Sequence, residues 1–320
     1  MRDDRRDDGG RRQPRGRPSH GRGEPAAALL LSSATASPWR AAFRRLRRDR
    51  TALVSAAVLV VIVLAALLAP LLAPYDPSAQ PDIVALAQRP PSGAHPFGTD
   101  PLSRDVLSRV VHGGRISISI ALLAALLSAS IGTAYGAVAA FAGGVTDAVM
   151  MRVLDALIAI PRLLLLLLVV ALWGAVSVPT LIVIIAATGW FTTSRLVRAR
   201  VLALSRDDFV VAADALGVPR RRVLWRHVMP NALSPVIVAA TLGVANVIAL
   251  EATLSYLGLG VRPPSASWGT ILQDGGDCMA ACWWVTAFPG IAIVAAATAF
   301  NALGDSVRDA FDPRGEHVVA

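Results

Sequence analysis

An acid stands where the chain is otherwise apolar: Glu251, with Asn246 one to two helical turns before it. A carboxylate in hydrocarbon marks a conduction path or a buried pairing, because an uncompensated charge there is costly. Its place near the outer end of its apolar run would let it reach the interface or pair with an arginine, and the sequence favours that structural role. Cys278 and Cys282 are the only cysteines. An oxidising exterior would permit a disulfide between them, and two free interfacial thiols are the other reading. With no histidine nearby they make a poor metal site.

All 31 basic residues are arginine. A phosphate-cradling loop requires Gly-x-x-x-x-Gly-Lys-Ser/Thr, so the chain has none and any ATP hydrolysis must occur on a separate subunit. Neither His-Glu-x-x-His nor Gly-x-Ser-x-Gly occurs. No catalytic residue, metal ligand or cofactor of its own is therefore assigned.

The richest constellation is the segment 209–231, FVVAADALGVPRRRVLWRHVMPN, a polar, arginine-rich loop between apolar stretches. Ala212, Ala213, Ala215 and Leu216 are good helix formers of modest bulk, and Gly217 can close the turn in a left-handed cap. Pro219 suits the first turn of a second short helix, where its missing N–H costs nothing. Small side chains on the first helix would let the groove of another protein approach closely, ringed by Arg220, Arg221, Arg222 and Arg226. For the individual arginines, a loop that merely keeps to the cytoplasm is the plainer reading.

These residues must be held by membrane helices. A 320-residue chain that is 54% apolar, with a mean hydropathy of +0.55, is too hydrophobic for an ordinary soluble domain. Residues 52–73 carry no charge and can cross a hydrocarbon core that takes about 20 helical residues. The other candidate spans are 116–141, 153–173, 178–193, 231–257 and 283–303, which makes six. Pro161 is expected to kink the third, with Arg162 reaching for the cytoplasmic interface. A cleaved signal peptide is not expected, since about 50 hydrophilic residues precede a first apolar run longer than an h-region.

Fourteen arginines lie in 1–50 and eight in 195–226, against four in 74–115 and one, Arg262, in 258–282. The positive-inside rule then places both chain ends and the 195–230 loop in the cytoplasm. The layout is a basic arm (1–50), an N-terminal transmembrane helix (51–73), an external segment (74–115), a transmembrane domain (116–305) and a tail (306–320). The net charge of +9 needs no nucleic acid to explain it. Residues 1–37 read as a disordered arm whose charge suits anionic membrane lipid. In the external segment, Thr99 or Asp100 is expected to cap an amphipathic helix with Pro101 in its first turn and Val106, Leu107, Val110 and Val111 as its stripe. Ser128, Gly132 and Gly136 form a small-residue stripe for close packing, within the chain or across a dimer.

The spacing in 209–231 resembles the coupling loop of ATP-binding-cassette importer permeases, Glu-Ala-Ala, three residues, Gly, nine residues, Ile-x-Leu-Pro. Ala212, Ala213, Gly217 and Pro230 match it, whereas Val211 replaces the Glu and His227 and Met229 take the Ile and Leu places. Asp214 is a substitute for the missing acid. Residues 95–105, HPFGTDPLSRD, resemble the segment before the second span in the C-type permeases of dipeptide and oligopeptide importers, with Ser103 in place of a glycine. The resemblance continues through 142–155, 251–269 and 288–314 and spans roughly residues 40–315.

This resemblance implies an all-α polytopic membrane protein with a type I importer permease core in a bacterial plasma membrane. It also implies a homologous second permease, two cytoplasmic ATP-binding subunits carrying ATP and magnesium, and an external solute-binding protein that delivers peptides. Import of nickel or another small solute is the alternative in the same class. An ion-coupled carrier would need charged relays and an internal repeat, and a membrane scaffold would leave the spaced loop unexplained.

Overall fold

The structure is a computed structural model in which residues 38–174 and 176–311 are described, apart from the side chains of residues 38–41, 214, 220 and 227. The expected arm over 1–37 and the end of the tail lie outside the described residues. Every regular element among those described is a helix. The first are α1 (Pro38–Leu46), α2 (Arg50–Leu67) and α3 (Ala69–Leu72). Asp49 starts α2 by accepting the Thr51 N–H at 2.9 Å. The expected span 52–73 is broken at Leu68 because Pro70, in the first turn of α3, has no N–H to continue the ladder.

α4 (Val106–Ala142) is one continuous helix of 37 residues. The amphipathic stripe expected outside the membrane and the second span are therefore a single rod. Its cap is Asp105, whose carboxylate accepts the Ser108 N–H at 2.8 Å, and not Thr99 or Asp100. The reason is tertiary: Thr99 and Asp100 are wholly buried and bonded elsewhere.

The third and fourth expected spans are both broken. α5 (Gly144–Ile158) and α6 (Arg162–Trp173) meet at 81°, and α7 (Val178–Gly189) and α8 (Phe191–Leu204) meet at 45°. Pro161 accounts for the first break, as it cannot extend α5 and starts α6 instead. Then follow α9 (Asp208–Ala215), α10 (Arg220–Val223), a π-turn (Leu224–Val228) leading directly into α11 (Met229–Tyr256), α12 (Trp268–Gly276) and α13 (Trp283–Phe311). Four helices, α2, α4, α11 and α13, are long and apolar enough to cross a membrane, and counting each bent pair as one span gives up to six.

Lipid is as apolar as leucine, so close approach and not apolar burial alone must hold such helices together. A Cβ added at Gly132 would lie 2.7 Å from the Thr193 Cβ and 2.8 Å from the Trp190 carbonyl oxygen, and one at Gly136 would meet the Ser194 carbonyl. The small-residue stripe of α4 thus seats α8 of the same chain. The central core joins α4, α6, α7, α11 and α13 through side chains such as Ile120, Leu166, Ile185, Ile248 and Ala296. A second cluster gathers Val197, Val201, Val210, Val223, Leu224 and Val228 under the 205–228 loop.

Candidate functional site

The 205–228 loop folds as two short helices about a glycine. Gly217 has φ +75°, a left-handed conformation that an L side chain resists, and the Val218 N–H reaches back to the Ala213 carbonyl at 3.1 Å. Pro219 opens the next turn, its carbonyl accepting the Arg222 N–H at 2.7 Å. α9 has two faces. Val210 and Ala213 turn inward onto the bundle cluster, while Val211, Ala212, Ala215 and Leu216 point out. Leu216 is 83% exposed and Val211 57%, an apolar face that nothing in this chain covers among the described residues. The backbones of Asp214 and His227 lie in α9 and the π-turn, but their side chains are outside the description. Pro230 sits in the first turn of α11.

Glu251 lies near the far end of α11, twenty-one residues after Pro230 and so about 30 Å along the helix. It is fully buried. The expected reach to the interface, or to an arginine, does not occur. Its carboxylate accepts hydroxyls instead, from Ser117 of α4 at 3.1 Å and from Ser255, one turn along α11, at 2.7 Å. Those hydroxyls in turn accept backbone N–H groups, Trp268 N–H at 3.1 Å on Ser117 and Val261 N–H at 3.3 Å on Ser255. Ser267, which caps α12 with Thr270, donates to Ser255 at 3.3 Å. One carboxylate thereby ties α4 and α11 to the entry of α12, because each serine can donate to the acid and accept from the backbone at once. Asn246 is exposed on a different face of α11 and does not join Glu251.

Above this knot the segment 75–109 is cross-linked by charge. Asp100 accepts Arg104 Nε at 2.6 Å and Arg109 Nη1 at 2.5 Å, and both arginines also reach Asp274 of α12, at 2.9 and 2.7 Å. His95 meets Asp105 at 2.9 Å. Trp284 Nε1 donates to the Thr99 carbonyl at 3.0 Å, and Phe97 stacks on Phe288 with ring centroids 3.8 Å apart. Ser103, where the resembled family has glycine, adopts φ +60° and keeps a buried hydroxyl without a partner, two small costs that a glycine would avoid. Cys278 and Cys282 are joined beside this region, their Cα atoms 5.4 Å apart.

Sequence reasoning missed the serine cage, the Asp100–Arg104–Arg109–Asp274 cluster and a cavity beside Arg162. Only the Glu251-to-Ser255 spacing of four, which puts both on one helix face, was a local signal. No group of three metal-ligating side chains gathers among the described residues.

The family described as binding-protein-dependent transport system inner membrane component matches residues 116–317, and the N-terminal TM domain of oligopeptide transport permease C matches residues 37–91. The chain is 40% identical over 296 residues to the oligopeptide transport system permease protein OppC of Bacillus subtilis (strain 168), covering 91% of this chain and 96% of that protein. OppC of Haemophilus influenzae is 38% identical over 278 residues, with coverages of 87% and 89%. The dipeptide transport system permease protein DppC of Bacillus subtilis (strain 168) is 37% identical over 276 residues, covering 85% of each. A bundle of apolar helices, several long enough to cross a membrane, accords with these likenesses. The chain belongs to the inner membrane components of binding-protein-dependent transport systems, as a transport subunit and not an enzyme.

Proposed function

We propose that this chain is one half of a two-permease pathway that imports dipeptides or oligopeptides, with the 205–228 loop on the cytoplasmic side as the handle by which ATPase subunits drive it. The observation that carries the reading is the two-faced α9: anchored to the bundle through Val210 and Ala213, it leaves Val211, Ala212, Ala215 and Leu216 free for a groove. ATP and magnesium belong to those partner subunits, and a solute-binding protein docks on the opposite face. The peptide substrate is the one named for the OppC and DppC relatives.

Mechanically, α9 is joined through the turn at Gly217 to α10, which runs on through the π-turn into α11 without a further loop. A partner that binds the two states of the bundle differently then switches access from one side to the other. The test is Ala212→Trp, which overfills the partner groove while leaving the bundle alone. Overpacking costs about 1–3 kcal/mol, enough to release a docked subunit. Normal abundance with loss of co-purifying ATPase and of peptide uptake is expected. Retention of both would sink the coupling role.

A further inference from the structure

Arg162 is a cation inside the bundle that the mechanism above leaves unused. It opens α6 at the 81° break, and its guanidinium crosses to α7, where Nη2 donates to the Ile185 carbonyl at 3.1 Å and Nε lies 3.5 Å from the Thr188 hydroxyl. The snorkelling toward the interface expected from sequence does not occur. No carboxylate pairs with Arg162 among the described residues. The acids of the adjoining α5 are already committed: Asp155 to Arg195 at 2.5 Å and Asp147 to Arg198 at 2.5 Å. A guanidinium has five N–H donors, so most of its capacity remains open.

That capacity borders a cavity of about 210 Å³ in which Ser128, Thr192, Thr193 and Asn246 stand among alanine, glycine, leucine and valine residues. Ser128 and Asn246 lie well inside α4 and α11, far from the helix ends. The room for the guanidinium comes from Gly189, where a Cβ would stand 2.8 Å from Arg162 Nη2 and 2.5 Å from the Ser128 Oγ.

We infer that Arg162 is a way-station for carboxylates in the translocation path, taking the C-terminal carboxylate of a peptide in transit. The inference rests on the peptide-import reading and deepens it. An unpaired charge in a low-dielectric bundle is tolerated when it has work with an opposite charge, and the planar guanidinium fork fits a carboxylate with two parallel hydrogen bonds. Every unmodified peptide brings such a group. The contact is released again because Ile185 and Thr188 hold the guanidinium in place when the carboxylate leaves.

The test uses the complete transporter in proteoliposomes, with trialanine and trialanine amide as probes, each at a concentration that loads the binding protein equally. The wild type should take up the free acid roughly tenfold faster than the amide, as loss of a charge-assisted hydrogen bond implies. Arg162→Gln should abolish that preference while binding-protein-stimulated ATP hydrolysis persists, and Arg162→Lys should restore part of it. Gly189→Ala, which displaces the guanidinium without removing its charge, should weaken the preference too. Equal uptake of both probes by the wild type, or an unchanged preference in Arg162→Gln, overturns the inference and leaves peptide import standing. Uptake of neither probe by the wild type removes the peptide reading and this inference with it. Loss of the co-purifying partner permease in Arg162→Gln would assign the arginine to a subunit ion pair and overturn the proposal.

Discussion

The two ends of α11 are built on opposite principles. At its start, the 205–228 loop rests on the bundle through a few aliphatic side chains and shows most of α9 to its surroundings. Near its end, Glu251 is sealed among serines, and beyond it Asp100, Arg104, Arg109 and Asp274 lock the segment before α4 onto α12. A region stapled by buried charge and hydrogen bonds resists local deformation, since each broken bond leaves an unpaired group behind. A region held by a handful of apolar contacts opens at low cost. The same rod is therefore stapled by buried polar groups at one end and held by a few apolar contacts at the other, which is the contrast that the proposed handle would use.

The most forceful way to break this contrast is Asp100→Ala. Removing the shared carboxylate leaves two buried guanidiniums with only the half-buried Asp274, and stranding a buried charge costs about 3–5 kcal/mol. A large fall in melting temperature in detergent is expected. An unchanged melting temperature would mean that the anchor is not stiff at all. Glu251→Ala should follow with about 1–3 kcal/mol, because the Ser117 and Ser255 hydroxyls lose their acceptor. Glu251→Gln should be milder, as one amide oxygen still accepts, and equal losses for the two variants would point to volume and not to hydrogen bonding.

Within the handle, comparison of neighbouring alanines sharpens the argument. Ala213→Trp, on the half-buried face of α9, should loosen the loop itself, whereas Ala212→Trp on the exposed face should leave limited proteolysis unchanged and act only on docking. Identical proteolysis of the two variants would erase the distinction between the faces. Val211→Glu, which restores the acid of the resembled motif on an exposed site, should be tolerated or tighten ATPase association.

Two further measurements perturb the protein least. In a cysteine-free version, single cysteines at Ser78 and Ser265 should react with an impermeant thiol reagent in intact cells, and one at Ser205 should not. The reverse pattern would turn the handle outward and end its proposed role. Mass spectrometry of the untreated protein without reductant should find Cys278 and Cys282 bridged, and two alkylatable thiols would refute that pairing.

Local chemistry settled much of this in advance. The helical character of the chain, the left-handed Gly217, Pro219 at the start of a turn and the break at Pro161 all follow from residue types acting within a few positions. So does the pair of short helices about Gly217, because its pattern is contiguous. What the sequence left open depends on partners far along the chain. Ser117 is 134 residues from Glu251, and Trp268 is 151 from Ser117, so no local spacing could announce their cage. Asp100 looked like a helix cap because it precedes Pro101, yet two arginines and a distant helix claimed it and left the cap to Asp105. Arg162 was expected to follow its own long stem outward. Tertiary packing decided otherwise, because the 81° turn at Pro161 and the bare backbone of Gly189 together opened a place for it inside the bundle.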